Sequence, residues 1–122
     1  MYDTLIGNVL VLDGTGEPAY RASVALADGR IAAIGDLPGA AARQIIDGTR
    51  LALAPGFIDV HTHDDTNVIR TPDMLPKLSQ GVTTVVVGNC GISASPVALR
   101  GEPPDPMNLL GARADFSYPT FA

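Results

Sequence analysis

The chain has 122 residues, 46% of them hydrophobic, and its 8 basic and 13 acidic side chains give a net charge of −5. That balance excludes a basic surface for nucleic acid or an anionic membrane, and no apolar run approaches the roughly 18 residues of a membrane-spanning helix. Met1-Tyr2-Asp3-Thr4 carries no positive leader and one cysteine cannot form an internal disulfide, which together point to the cytoplasm and to a metal or catalytic role for that cysteine.

Residues 1–54 read as short strands punctuated by turns. Leu5 to Leu12 is apolar and rich in branched side chains, and it stops at Asp13-Gly14-Thr15-Gly16, which supplies positive-φ positions. Ser23–Ala27 and Arg30–Ile34 flank Asp28-Gly29, a dipeptide suited to the type I′ turn of a β-hairpin. Ala40–Arg43 is too short to nucleate a helix, and Gln44-Ile45-Ile46-Asp47-Gly48 resumes the strand-and-turn rhythm.

After Pro55-Gly56 the pattern becomes strand, helix, strand. Phe57-Ile58-Asp59-Val60-His61 is a compact strand. A helix is expected between Thr71 and Gln80, with Thr71 or Asp73 as N-cap and Gly81 just past its end. Val82 to Val87 then reads as a strand buried on both faces, as in a parallel sheet covered by helices. Beyond Gly88 the chain is irregular and proline-rich, with Pro96, Pro103, Pro104 and Pro106, and it ends at Tyr118-Pro119-Thr120-Phe121-Ala122 without an obvious terminal element.

The chemistry concentrates at two strand ends. Alternation along an extended chain puts Asp59, His61 and His63 on one face, with the α-carbons of the two histidines about 6.6 Å apart, within reach of one divalent metal. A bare His-x-His is more often a chance pair, but these are the only histidines in the chain, and the only cysteine, Cys90, ends the next predicted strand. In a parallel barrel, ligands gather at the carboxyl ends of strands, where both His61-Thr62-His63 and Gly88-Asn89-Cys90-Gly91 would lie. Cys90 read blandly is a small buried hydrophobe, whereas its flanking glycines favour a tight turn and a zinc-bound thiolate. Asp59 is expected to steady a metal-bound imidazole rather than to ligate. Asp64 and Asp65 fit a solvated turn or helix cap at least as well as a site role. Asn89 either positions the cysteine turn through its amide or supplies a left-handed backbone angle, and Lys77, the only lysine, reads as a solvated helix residue.

The segment Ala54-Pro55-Gly56-Phe57-Ile58-Asp59-Val60-His61-Thr62-His63 resembles the first-strand signature of the amidohydrolase superfamily. His63-Asp64-Asp65 and the run from Met74 to Gly91, ending in Gly88-Asn89-Cys90-Gly91, resemble one branch of it, the N-acyl-D-amino-acid deacylases or D-aminoacylases. Asp28 to Gly35 resembles a hairpin these enzymes carry in a small β-sandwich beside the barrel. The resemblance implies an α/β fold in which residues 1–54 are the N-terminal part of a small β-sandwich domain and residues 55–122 the first βα units of a (β/α)8 metallo-hydrolase barrel, left incomplete. It also implies zinc as cofactor, held tightly through Cys90 where many relatives use a carbamylated lysine, with His61 and His63 at a second, weaker metal position.

The implied reaction is zinc-dependent hydrolysis of a small N-acyl-D-amino acid to a carboxylate and a free D-amino acid, with no nucleic-acid or membrane partner. In the family the acid–base group is an aspartate of a late barrel strand, and two more histidines come from middle strands, so no catalytic residue is assigned within this chain. A full barrel takes about 250 residues, and the residues after Pro55 suffice for about two βα units. The expectation is therefore an N-terminal fragment, inactive alone. Two other readings stand beside it. One is a different amidohydrolase, dihydroorotase-like or isoaspartyl-dipeptidase-like, against which the cysteine turn argues. The other is a non-catalytic relict.

Overall fold

A computed structural model describes residues 1–120 of the chain, which divides into two compact units, Met1–Pro55 and Gly56–Ala122. Among the described residues no helix is long and apolar enough to cross a membrane.

The first unit is one five-stranded sheet built on β1 (Tyr2–Val11). β2 (Tyr20–Ala27) lies antiparallel to β1, and β3 (Arg30–Gly35) lies antiparallel to β2 on its far side. β4 (Ala42–Asp47) and β5 (Ala52–Leu53) run parallel to β1, one after the other along its other edge. The hairpin expected at Asp28-Gly29 is present: Ala27 pairs with Arg30, and the two turn residues have φ of 51° and 70°, the double left-handed geometry of a type I′ turn. Asp3 accepts the Asp28 backbone N–H at 2.8 Å, which ties the turn to β1.

Val9, Val11 and Val24 form the core, with Ile6, Ala22, Leu26 and Leu53 against them. The pairing of β1 with β2 slips between Ile6 and Val9, where Asn8 takes φ 58°, and this bulge lets Ile6 pack on the same side as Val9 and Val11, which share a face by ordinary strand alternation. Gly48 lies where β4 turns across β1. A Cβ there would sit 2.6 Å from Val9 Cβ and 2.7 Å from the Gly7 carbonyl oxygen, so the position accepts only hydrogen.

In the second unit, β6 (Phe57–Asp59) and β7 (Val82–Val85) run parallel and are joined by two single helical turns, α1 (Asn67–Arg70) and α2 (Leu75–Leu78). The expected helix from Thr71 to Gln80 is thus interrupted. Pro72 pushes Thr71 out of helical geometry, to φ −134° and ψ 70°. α2 then starts after Met74, a left-handed residue without a side-chain cap, so neither Thr71 nor Asp73 caps it. Gly81, at φ 80°, closes the turn. β6 stops two residues short of His61. β7 is not buried on both faces as expected: Val82 and Val85 are half-covered while Thr83 and Thr84 face solvent.

The irregular stretch beyond Gly88 carries a core of its own. Ile92, Ala94, Leu110 and Phe116 are buried together, with Val97, Leu99 and Met107 against them. β8 (Val97–Ala98) pairs antiparallel with β9 (Ser117–Tyr118), and two 3₁₀ turns, Met107–Leu109 and Arg113–Asp115, supply the bends between them. Thr66 donates from Oγ1 to the Leu110 carbonyl, and Arg70 pairs with Asp115, so the segment after the histidines is fastened to this core. Phe121 and Ala122, part of the ending noted above, lie outside the described residues.

Candidate metal centre

Parallel pairing of β6 and β7 brings the chain beyond Asp59 alongside the chain beyond Val85. Val86 N–H donates to the Asp59 carbonyl at 2.8 Å, and Thr62 N–H donates to the Val86 carbonyl at 3.2 Å, so the register continues past the strands themselves. The cysteine turn is closed by Gly91 N–H donating to the Gly88 carbonyl at 3.0 Å, with both glycines at positive φ. Asn89 Nδ2 donates to the Val60 carbonyl, and Asn89 is absent from the positive-φ positions. Of its two readings, the amide one describes the molecule: it laces the cysteine turn to the histidine strand.

His61 Nε2 and Cys90 Sγ consequently stand 2.7 Å apart. One donor atom from each of His61, His63 and Cys90 lies within 4.8 Å of the others, the only such group of His, Cys, Asp or Glu among the described residues. The imidazoles meet edge to face, with centroids 6.1 Å apart. Around a tetrahedral zinc, with Zn–N about 2.0 Å and Zn–S about 2.3 Å, neighbouring donors sit roughly 3.3–3.5 Å apart. The 2.7 Å His61–Cys90 pair would part by about 0.8 Å, and the widest spacing of up to 4.8 Å would close by about 1.3–1.5 Å. All three side chains are exposed and free to make those shifts. Two imidazoles and a thiolate are a zinc donor set, so the residues fit the ion that the sequence implies.

Asp59 does not touch an imidazole. Its Oδ1 accepts the backbone N–H of His61 at 3.2 Å, and its Oδ2 accepts Lys77 Nζ at 2.5 Å. Lys77 itself is the clearest departure from expectation, being no solvated residue. Its ammonium also reaches Asp64 Oδ2 at 3.0 Å and donates to Thr62 Oγ1 at 3.2 Å. The reason is α2, whose short turn stands directly against β7 and points its last-turn lysine back toward the end of β6.

Hydrogen bonds to Asp59 and then Asp64 raise the Lys77 pKa. Asp59 is lowered, first by the Lys77 hydrogen bond and then by the His61 N–H. Burial pushes Asp64 up, but hydrogen bonds from Thr62, Lys77 and Asn67 outweigh it and leave the carboxyl below its ordinary value. Nor is Asp65 on a solvated turn. It is 7% exposed, its Oδ1 accepts the Ala94 N–H at 3.0 Å, and its Oδ2 is buried without a hydrogen-bond partner among the described residues. No spacing in the sequence marks these roles; only the scarcity of lysine singles out Lys77.

A profile of the amidohydrolase family matches residues 44–119. The chain is 49% identical to a D-aminoacylase of Alcaligenes xylosoxydans xylosoxydans over 121 residues, covering 99% of this chain and 25% of that protein. A solved D-aminoacylase structure, described for the functional role of its binuclear metal centre, superposes with a TM-score of 0.89 at 46% identity, over 98% of this chain and 25% of the other. The N-acyl-D-glutamate deacylase of Bordetella bronchiseptica, solved with zinc and a phosphonate inhibitor, gives 0.82 at 50% identity over 90% of this chain and 23% of that one. The chain spans about a quarter of the length of these relatives. With the family profile matching more than half of its residues and half-identity running nearly end to end, this chain belongs to the amidohydrolase family.

Proposed function

We propose that the chain supplies the first part of an N-acyl-D-amino-acid deacylase, in which Cys90, His61 and His63 hold zinc and the bond cleaved is the amide of a small N-acyl-D-amino acid. The observation that carries this reading is the convergence of the two imidazoles and the thiolate from adjacent parallel strand ends. Similarity to D-aminoacylases over nearly the whole chain supports the substrate class. Residues 1–54 are assigned to a small β-sandwich and 55–122 to the opening of a (β/α)8 barrel, in a cytoplasmic protein.

Cys90 is assigned to a tightly held ion whose other ligands lie outside these residues, and the histidine pair to a weaker second ion that Cys90 Sγ, within 4.8 Å of both imidazole donors, can also reach. Bound zinc lowers the pKa of its water toward 7 and polarises the carbonyl of the scissile amide. The residues of this chain act around that centre. Asn89 fixes the cysteine turn on the histidine strand, while Asp59 holds the His61 backbone so that the ring projects from a set position. The proton for the departing amine has to come from an acid outside these 122 residues, which by themselves are expected to bind zinc weakly and hydrolyse nothing.

A chimera tests the assignment: residues 1–122 replace the matching first quarter of the Alcaligenes D-aminoacylase. Zinc-dependent release of D-amino acid from N-acetyl-D-amino acids, lost together with bound zinc in Cys90→Ala, is expected. A chimera that melts cooperatively and retains zinc yet leaves those substrates intact would overturn the substrate class. Turnover by the 122-residue chain alone would overturn the external acid.

A further inference from the structure

We propose that Lys77 is a positioning residue of this metal centre, one ammonium that pins the His61-Thr62-His63 segment and keeps the two flanking carboxylates from becoming metal ligands. The inference rests on the metal-site reading above and adds to it a residue outside the donor set.

The geometry is that of a three-point anchor. Lys77 Nζ meets Asp59 two residues before His61, Thr62 between the histidines, and Asp64 immediately after His63. An ammonium has three N–H donors, and these are three acceptors. The segment needs such an anchor because β6 ends at Asp59. Beyond it, Thr62 N–H to the Val86 carbonyl is the backbone tie to the neighbouring strand. Two imidazoles aimed at one ion gain from having that entropy removed before the ion arrives.

The second effect is electrostatic. Asp59 Oδ2 and Asp64 Oδ2 both face the same nitrogen. Without the lysine they would be like charges sharing one site, free to relieve the repulsion by turning toward a nearby cation, for which carboxylate oxygen is a competent ligand. Thr62 Oγ1 donates to Asp64 Oδ2 at 2.6 Å and Asn67 Nδ2 donates to its Oδ1 at 3.1 Å, so Asp64 is already oriented to receive the ammonium. Lysine thus takes the place beside these acids that a metal ion would otherwise contest.

The test is cobalt(II) binding to the 122-residue chain, read from the visible ligand-field bands and from the dissociation constant of the ion that His63→Ala removes. Lys77→Met is expected to weaken that ion by about tenfold or more, as loss of a ligand-orienting partner does, and to weaken its bands as oxygen donors raise the coordination number. Lys77→Arg, which keeps the charge and several donors, is expected to restore most of the affinity and the spectrum. Unchanged affinity and spectrum in Lys77→Met would overturn the inference, and so would tighter binding, which would make the ammonium simply a repelling charge. Should Lys77→Met fail to fold, Asp64→Ala removes one anchor point. It is then expected to weaken the same ion by a smaller factor, and wild-type affinity there would equally overturn the proposal. If His63→Ala leaves cobalt uptake of the parent chain unaltered, the metal-site reading itself falls and the lysine's role falls with it. If His63→Ala abolishes that uptake and the lysine variants do not change it, only the lysine's role is lost.

Discussion

Thr66→Val isolates the hydrogen bond that fastens the turn after the histidines to the core of residues 92–116. Thr66 is 4% exposed, and its Oγ1 donates to the Leu110 carbonyl at 2.6 Å. Leu110 is 3% exposed and packs with Ile92, Ala94 and Phe116. Valine keeps the shape and replaces the hydroxyl by a methyl, so packing is nearly conserved while a carbonyl in a dry site loses its donor. A buried hydrogen bond contributes about 0.5–1.5 kcal/mol net, and leaving its acceptor unpaired costs about 1–3 kcal/mol; about 2 kcal/mol is expected for Thr66→Val. Thr66→Ser is the control, because it keeps the hydroxyl and loses one methyl, about 0.8 kcal/mol of burial. For a unit of this size each kcal/mol moves the melting temperature by about 4–8 °C, so valine should lower it by about twice as much as serine or more. Circular-dichroism melts at low micromolar concentration measure the shifts, and hydrogen exchange of the Ala94 amide, held by neighbouring Asp65, reports whether the attachment loosens locally. A valine variant at least as stable as the serine variant would show that the methyl, and not the hydroxyl, holds the turn.

Two further substitutions probe the first unit. Gly48→Ala places a Cβ against Val9 Cβ and the Gly7 carbonyl at 2.6 and 2.7 Å, and since both belong to or sit next to the backbone of β1, about 3 kcal/mol of destabilisation is expected. A reduced denaturation midpoint in urea checks it, and an unchanged midpoint would mean that β4 can slide away from β1. Asp47 accepts Thr49 Oγ1 at 2.6 Å and Thr49 N–H at 3.0 Å, which hold its carboxyl below the ordinary value. A carboxyl whose folded pKa is depressed contributes stability that is full above the unfolded value, about 3.9, and is lost as pH falls through the folded value. Thr49→Val should therefore raise the Asp47 pKa toward the ordinary value and make stability less dependent on pH in that acid window. Carboxyl titration by NMR decides it, with identical Asp47 curves in the two proteins counting against the argument.

What could be read in the sequence, and what could not, divides by how many separate segments a feature needs. The Asp28-Gly29 hairpin requires one dipeptide and its flanks, and its positive-φ pair was legible without any knowledge of the sheet. Between β6 and β7 the structure departs from the single expected helix, because Pro72 acts on the residue before it and the connection forms two turns. The core of Ile92, Ala94, Leu110 and Phe116 has no period at all, since its members come from turns and a two-residue strand pair, and period is the signal that a buried face leaves in a sequence. Convergence of His61, His63 and Cys90 also needs two segments, yet it could be anticipated because two histidines and one cysteine in 122 residues leave few ways to combine. Lys77 is equally scarce, but scarcity does not help there. Its meaning depends on which of 13 acidic side chains it meets, and a lysine without a known partner defaults to solvent. The partners stand 13 to 18 residues away, on a segment whose position relative to α2 is set by the pairing of β6 with β7. Side chains with metal-ligand chemistry can thus be grouped from the sequence, whereas the contacts made to the segment that carries them become visible only when the strands are in register.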